Sequence, residues 1–90
     1  MRKPTAAQMA LLRKMAEWGW YVRRDFYDGR WRYDLVIRTD NGDEYETVDG
    51  RTVRGLVLRG WLDEYRDPAD GGCAEHRITP EGRAATEGGE

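Results

Sequence analysis

Four side chains between residues 51 and 59 have the chemistry needed to contact nucleic acid. Three are arginines, Arg51, Arg54 and Arg59, and the fourth is Thr52. A guanidinium group can bind the edge of guanine through two hydrogen bonds, and both arginine and threonine bind phosphate. The four residues are therefore candidate DNA contacts. The alternative is a solvated polar helix face that balances the acidic segment 40–49 beside it.

A second candidate surface combines acidic and aromatic side chains. Segment 40–49 carries five acids and could bind a basic protein or imitate DNA, although solubility is the plainest role of such a run. The first hairpin, assigned below, turns two tyrosines and an arginine toward solvent. The candidate interaction surface consists of Tyr21, Tyr27, Arg30, Asp43, Glu44 and Glu46.

Aromatic residues are dense between positions 18 and 33. Beside the arginines of that segment, they could stack on the bases of a single strand. A chain of 90 residues must, however, also fill its interior with large side chains. We therefore assign Trp20, Phe26 and Trp31 to the core and Tyr21 and Tyr27 to the charged face.

No catalytic or metal-binding arrangement is evident in the sequence. The single histidine, His76, and the single cysteine, Cys73, are three residues apart, which places them on opposite faces of a strand. They cannot form an ordinary structural zinc site. No nucleophile–base pair, paired carboxylates or glycine-rich phosphate loop can be defended. We expect no enzyme activity, no cofactor and no metal.

Length and composition indicate one small folded domain. The net charge is −2, with 39% hydrophobic and 36% charged residues, and the four Trp and five Tyr argue against disorder. No apolar stretch reaches the ~18 residues of a membrane span, and no signal peptide is recognisable. One cysteine fits a reducing cytoplasm. We expect a single cytoplasmic domain over residues 1–85 and a disordered tail over 86–90.

The first elements follow from spacing and turn chemistry. Helical periodicity predicts helix 1 over about 5–18, capped by Thr5 and ended by Gly19. Asp28-Gly29 predicts a two-residue turn between strands at about 20–27 and 30–38. One face would then carry the pairs Phe26–Trp31, Arg24–Tyr33, Val22–Leu35 and Trp20–Ile37, and the other Asp25–Arg32 and Arg23–Asp34.

The later elements are a short strand, a helix, a hairpin and a last helix. A three-residue loop at 40–42 would set Arg38 against Glu44 and begin a strand at about 43–47. A helix over 49–60, capped by Thr47 or Asp49, turns Arg51, Thr52 and Gly55 outward. Strands 61–65 and 73–78 flank a loop. Thr79-Pro80-Glu81 starts a short helix to about Ala85.

Residues 52–85 resemble a known family. The helix ending in Arg59-Gly60, the Asp67-Pro68-Ala69-Asp70 loop and Ile78-Thr79-Pro80-Glu81-Gly82-Arg83 are similar to the recognition helix, wing and following helix of winged helix-turn-helix proteins. The wing is closest to the multiple-antibiotic-resistance-regulator (MarR) type. The resemblance implies an α+β, winged-helix-like fold and regulation of transcription. It covers a little over a third of the chain.

The sequence departs from that family in two features. A hairpin and a third strand replace the second helix of the helix-turn-helix, and Gly71 and Gly72 stand where the wing usually carries a DNA-contacting arginine. The leading hypothesis is a small DNA-binding regulator that forms a homodimer through helix 1 or the last helix. The alternative is a protein-interaction module on a winged-helix scaffold, such as a phage-type inhibitor or adaptor.

Overall fold

The computed structural model describes residues 3–66 and 73–87. These residues form an α+β architecture with three helices and one five-stranded antiparallel sheet. The predicted loop 67–70, together with Gly71 and Gly72, lies outside the described residues. The elements in chain order are α1 (Ala6–Trp18), β1 (Tyr21–Tyr27), β2 (Arg30–Thr39), β3 (Gly42–Val48), α2 (Gly50–Leu58), β4 (Leu62–Arg66), β5 (Ala74–Ile78) and α3 (Pro80–Glu87).

The sheet places β1 at its centre. The strand order is β3-β2-β1-β5-β4, so that the two hairpins, β2–β3 and β4–β5, flank β1 on opposite sides. The contact between β1 and β5 pairs Val22 with His76 and Arg24 with Ala74. Strand β1 therefore joins the two hairpins through its pairing with β2 along its whole length and with β5 at Val22–Arg24.

The helix ends are fixed by the predicted capping residues. Thr5 caps α1 by accepting a hydrogen bond from the Gln8 amide at 3.0 Å, and the Gln8 side chain accepts one from the Thr5 amide at 3.0 Å. Asp49, one of the two predicted caps, begins α2. The Thr79 hydroxyl accepts from the Gly82 amide at 3.0 Å and begins α3. Each cap satisfies a backbone donor that the first turn leaves without a partner.

Helix α3 continues beyond its predicted end. It extends to Glu87, whereas the sequence predicted an end near Ala85. Thr86 and Glu87, which we assigned to the tail, are therefore helical, and the Thr86 hydroxyl donates to the carbonyl of Arg83 at 2.7 Å. Among the described helices, none combines the length and the apolar character needed to cross a bilayer.

The register of the first hairpin is confirmed. Phe26 pairs with Trp31 and Val22 pairs with Leu35, and the pairing leaves Asp28-Gly29 as the two turn residues. Both turn residues have positive φ, 52° at Asp28 and 77° at Gly29. This is the backbone conformation that a type I′ turn requires.

The ion pairs on this hairpin differ from the prediction. Asp25 and Arg32 are opposite residues, as are Arg23 and Asp34. The short contacts nevertheless run along each strand, from Arg23 to Asp25 at 3.0 Å and from Arg32 to Asp34 at 3.1 Å. The expected cross-strand ion pairs are therefore wrong, because each guanidinium reaches the carboxylate two positions along its own strand.

The register between β2 and β3 is one residue away from the prediction. Thr39 pairs with Gly42, so the loop has two residues, and Arg38 faces Asp43 instead of Glu44. The Thr39 hydroxyl closes the turn, since it donates to the carbonyl of Gly42 at 2.6 Å and accepts from the Asn41 amide at 3.2 Å. Tyr45 consequently lies opposite Val36, on the sheet face away from the core.

The core lies between the helices and one face of the sheet. Its buried side chains come from α1, α2 and the strands that face them: Leu11, Leu12, Met15, Val22, Leu35, Val53, Leu56 and Leu62. Trp20 packs against this cluster, as predicted. Phe26 and Trp31 do not, and 57% and 49% of their surfaces are exposed.

The exposure of Phe26 and Trp31 corrects their assignment to the core. They lie on the same sheet face as the core, but next to the turn of the first hairpin. The last pair between β2 and β3 joins Tyr33 to Val48, and Tyr33 is the core neighbour nearest this turn on β2. The hairpin extends past the helices at this end, so burial stops at Tyr33.

Candidate nucleic-acid interface

A groove of about 690 Å³ separates the end of the first hairpin from the first turns of α2. The hairpin contributes the turn and the start of β2, and the other wall comes from the end of β3 and the beginning of α2. The lining residues are Tyr27, Asp28, Arg30, Trp31, Arg32, Tyr33, Thr47, Val48, Asp49, Gly50, Arg51 and Arg54. The set contains four arginines and two aspartates, so its formal charge is positive.

Helix α2 supplies two of the arginines. Arg51 and Arg54 are three residues apart, which places them on one side of the helix, and both are exposed. Asp49 starts the helix by accepting a hydrogen bond from the Arg51 amide at 2.9 Å. Within residues 3–66 and 73–87, neither guanidinium forms an ion pair. Both are therefore available to an anion in the groove.

Strand β2 supplies the other two arginines, of which Arg32 is held by an ion pair and Arg30 is exposed. Arg32 is held by the buried Asp34 carboxylate at 3.1 Å, and its guanidinium also donates to the Thr47 hydroxyl at 3.4 Å. Thr47 in turn donates to Asp34 at 3.2 Å. Arg30 is exposed and has no ion-pair partner in the described part of the chain. The groove thus combines one fixed guanidinium with three that can move to a ligand.

Trp31 and Tyr33 add aromatic surface to the groove. Trp31 is half exposed, and Tyr33 is partly buried against Gly50 at the start of α2. A Cβ on residue 50 would lie 2.7 Å from the Tyr33 ring, so glycine allows the helix to approach the strand this closely. The aromatic surface and the arginines are therefore brought together by the contact between Tyr33 and Gly50.

Two of the four predicted DNA contacts lie outside the groove. Thr52 lines a separate hollow of about 260 Å³ between α1, β3 and α2. Arg59 ends α2, where its guanidinium lies 5.1 Å from the centre of the Trp61 ring. Gly55, which we expected to face outward, lies against the Gln8 side chain of α1. Only Arg51 and Arg54 of the four candidates line the groove.

Another exposed residue follows these two arginines on α2. Leu58 is 89% exposed and lies four residues after Arg54 and seven after Arg51. This spacing puts all three on the outward side of the helix. The outward stripe of α2 is therefore basic at its start and apolar at its end.

The acidic segment is divided by the sheet. Side chains alternate along β3, so Glu44 and Glu46 share the face of Ile37 and Leu35, whereas Asp43 lies on the opposite face. Glu46 contacts Lys14 of α1 at 3.3 Å. All three predicted interaction residues, Asp43, Glu44 and Glu46, are exposed. They are nevertheless spread over an edge of the sheet instead of forming one acidic face.

The predicted tyrosines lie on the sheet face away from the helices. Tyr21 is partly buried, and the Arg77 guanidinium lies 5.3 Å from the centre of its ring. Tyr27 is exposed next to the turn and lines the groove together with Arg30. The candidate interaction surface is therefore divided, because Tyr27 and Arg30 belong to the groove and Tyr21 does not.

A small polar cluster lies inside the sheet beside the core. The His76 side chain is buried, and its Nδ1 lies 3.2 Å from the carbonyl oxygen of Asp63. Glu64 lies 3.9 Å from Nε2 of His76 and 3.4 Å from the Arg24 guanidinium. Burial lowers the pKa of His76, and the Asp63 carbonyl and the Glu64 charge partly oppose this shift. No group of three or more potential metal ligands occurs in the described ranges.

Sequence reasoning named Arg30 as an interaction residue and considered base stacking by the aromatic residues between positions 18 and 33, but it did not connect β2 with α2. The signal was present in the run Arg30-Trp31-Arg32-Tyr33, where basic and aromatic residues alternate directly after the turn. What the run does not reveal is its distance from α2, which depends on the path of β3. The role of the groove has to be inferred from its own chemistry, since comparison of the chain with protein-family models, curated proteins and solved structures finds no match.

Proposed function

We propose that this protein binds nucleic acid through the groove between the first hairpin and α2, as a small DNA-binding regulator of the winged-helix type. The observation that carries the proposal is the convergence of Arg30, Arg51 and Arg54 on one groove. None of the three forms an ion pair within the described ranges. Neutralising phosphates supplies most of the affinity of such proteins.

The topology supports the winged-helix part of the proposal. Helix α2 is followed directly by the β4–β5 hairpin and then by α3, which is the succession that the sequence resemblance implies. Strand β5 lies between β1 and β4, so the hairpin that would be the wing is joined to the strand that follows α1. The β2–β3 hairpin takes the place of the second helix. In this proposal α2 is the recognition helix, and Leu58 extends its outward stripe.

Two acidic residues of the proposed wing, Glu64 and Glu75, form ion pairs within the sheet. Glu64 contacts Arg24 at 3.4 Å and Arg66 at 2.9 Å, and Glu75 contacts Arg77 at 3.2 Å. Their charges therefore oppose binding of phosphate less than the sequence suggests.

The test is a salt titration of binding to a labelled duplex, monitored by fluorescence anisotropy. Replacing Arg51 and Arg54 together by Gln should weaken binding and reduce the slope of log K against log salt by about 2. Arg38→Gln is the matched control, because Arg38 is an exposed arginine at the far end of β2 without an ion pair in the described ranges. Affinity that is independent of salt, or absent at ~50 mM salt, would contradict the proposal.

A protein partner is the second candidate, and the observation that favours it is the exposed edge strand β3. Asp43, Glu44 and Tyr45 are exposed there, and among the described strands β3 pairs only with β2. A partner strand with basic side chains could add to this edge. Replacing Asp43 and Glu44 by Lys should abolish such binding and leave duplex binding by the groove intact.

A further inference from the structure

We propose that the end of the first hairpin stacks on an unpaired base, so that the ligand of the groove is nucleic acid in which a single strand adjoins a duplex. This inference rests on the proposed function and names its ligand class more narrowly. It begins from Phe26 and Trp31, which are exposed although they lie on the sheet face that packs against the helices.

The two rings form a fixed aromatic surface. Their centroids are 5.1 Å apart with an angle of 65° between the planes, an edge-to-face arrangement. The Arg24 guanidinium lies 4.7 Å from the centre of the Trp31 ring, and Glu64 holds that guanidinium from the other side at 3.4 Å. The indole of Trp31 is thus oriented by two neighbours and still leaves half its surface open.

Phosphate-binding groups surround this aromatic surface. Trp31 lines the same groove as Arg30, Arg51 and Arg54. An aromatic ring beside unpaired guanidinium groups is the combination by which proteins bind single strands, since bases stack on the rings and phosphates meet the charges. A basic protein would be repelled by these arginines, and an acidic peptide would not need the aromatic surface.

The accessibility of the base decides between a duplex and a single strand. Inside a duplex both faces of each base are stacked on its neighbours, so Trp31 could not reach one. An unpaired base at a strand end, overhang or bulge offers its face without that cost. The outward stripe of α2 would then contact the adjoining duplex while the hairpin holds the first unpaired nucleotide.

The experiment compares one blunt duplex with the same duplex carrying a single-stranded overhang, made once in DNA and once in RNA. We expect the overhang to bind at least about fivefold more tightly, the lower end of the effect of one stacked base. Trp31→Ala should remove this advantage, measured as the ratio of the overhang and blunt-duplex affinities, while Trp31→Phe should retain much of it. Intrinsic fluorescence should be quenched by the overhang in the wild type and less in Trp31→Phe.

The matched control is Trp18→Ala, because Trp18 is also exposed, at 60%, but lies at the end of α1 away from the groove. It should leave the overhang advantage intact, and thermal unfolding checks that each variant is folded. Equal binding of blunt and overhang probes by the wild type overturns this inference while the proposed function stands. An overhang advantage that persists in Trp31→Ala overturns it as well. Absence of binding to every probe overturns both proposals.

Discussion

Arg23 and Asp25 form an ion pair along β1, with Nε of the arginine 3.0 Å from Oδ1 of the aspartate. The hydrogen bond and the negative charge of Asp25 raise the pKa of Arg23. Both side chains lie on the sheet face that no helix covers, and both are partly exposed. The pair therefore stabilises the strand weakly, as partly exposed ion pairs do.

A double-mutant cycle measures this pair. Arg23→Gln and Asp25→Asn, singly and together, should give a favourable coupling free energy of about 0.2–1 kcal/mol in urea unfolding. The control cycle combines Asp25→Asn with Arg32→Gln, since these residues are opposite each other but Arg32 contacts Asp34. Its coupling should be close to zero. A larger coupling in the control cycle would show that the cross-strand pair is the stabilising one.

The turn of the first hairpin gives a second prediction. Gly29 has a φ of 77°, a conformation in which a β-branched side chain clashes with its own backbone. Gly29→Val should lower the free energy of unfolding by roughly 1–2 kcal/mol. Gly29→Asn should cost less, because asparagine tolerates this conformation. Equal losses for the two variants would mean that the turn does not require positive φ in solution.

Local chemistry explains which parts of the fold could be predicted. The caps Thr5, Asp49 and Thr79 and the Asp28-Gly29 turn depend on neighbouring residues alone, and each is where the sequence places it. The turn at Asp40-Asn41 was predicted one residue too long because the Thr39 hydroxyl, which closes it, has no distinctive sequence signal. This local error of one residue shifts the whole pairing of β3, so that Arg38 faces Asp43 instead of Glu44.

The candidate site was predicted only in part for a different reason. The helical spacing predicted that Arg51, Thr52 and Gly55 face outward, whereas the exposed residues at the start of α2 are Arg51 and Arg54. Whether Trp31 is buried depends on how far the helices extend along the sheet, a tertiary property. Hydrophobic character alone predicted that Phe26 and Trp31 are buried. Both rings are exposed, because the end of the hairpin extends beyond the helices.

The start of α3 gives a third prediction, in which replacing a glycine by alanine lowers the free energy of unfolding although helix propensity would raise it. Gly82 is buried, and a Cβ on it would overlap the carbonyl oxygen of Trp61. That oxygen already accepts a hydrogen bond from the Thr79 amide at 3.0 Å. Gly82→Ala should therefore destabilise by about 1–3 kcal/mol, as overpacking does, although alanine favours helices.

The control for Gly82 is Ala84→Gly in the same helix. Ala84 is exposed, so this variant should lose only about 1 kcal/mol, the difference in helix propensity. Urea unfolding of both variants compares steric overlap with propensity directly. A stabilised Gly82→Ala variant would show that α3 can move away from Trp61 without loss.

His76 gives the last prediction, a dependence of stability on pH. Its ring is buried beside Asp63, Glu64, Arg24 and the Tyr33 ring, and burial lowers its pKa below the usual 6.5. Among the described residues, Nε2 has no hydrogen-bond partner, so a proton added there would be poorly solvated. Above pH 6.5 the ring is neutral in both the folded and unfolded states, and its contribution to stability is complete. As the pH falls from 6.5 through the folded-state pKa, the unfolded chain binds the proton more readily and the free energy of unfolding decreases.

Urea unfolding between about pH 7.5 and 5 should show this decrease in the wild type, with a shallower profile in His76→Gln, whose side chain does not titrate. Parallel profiles for the two proteins, or a wild type that becomes more stable on acidification, would mean that the ring reaches solvent and takes up its proton without cost.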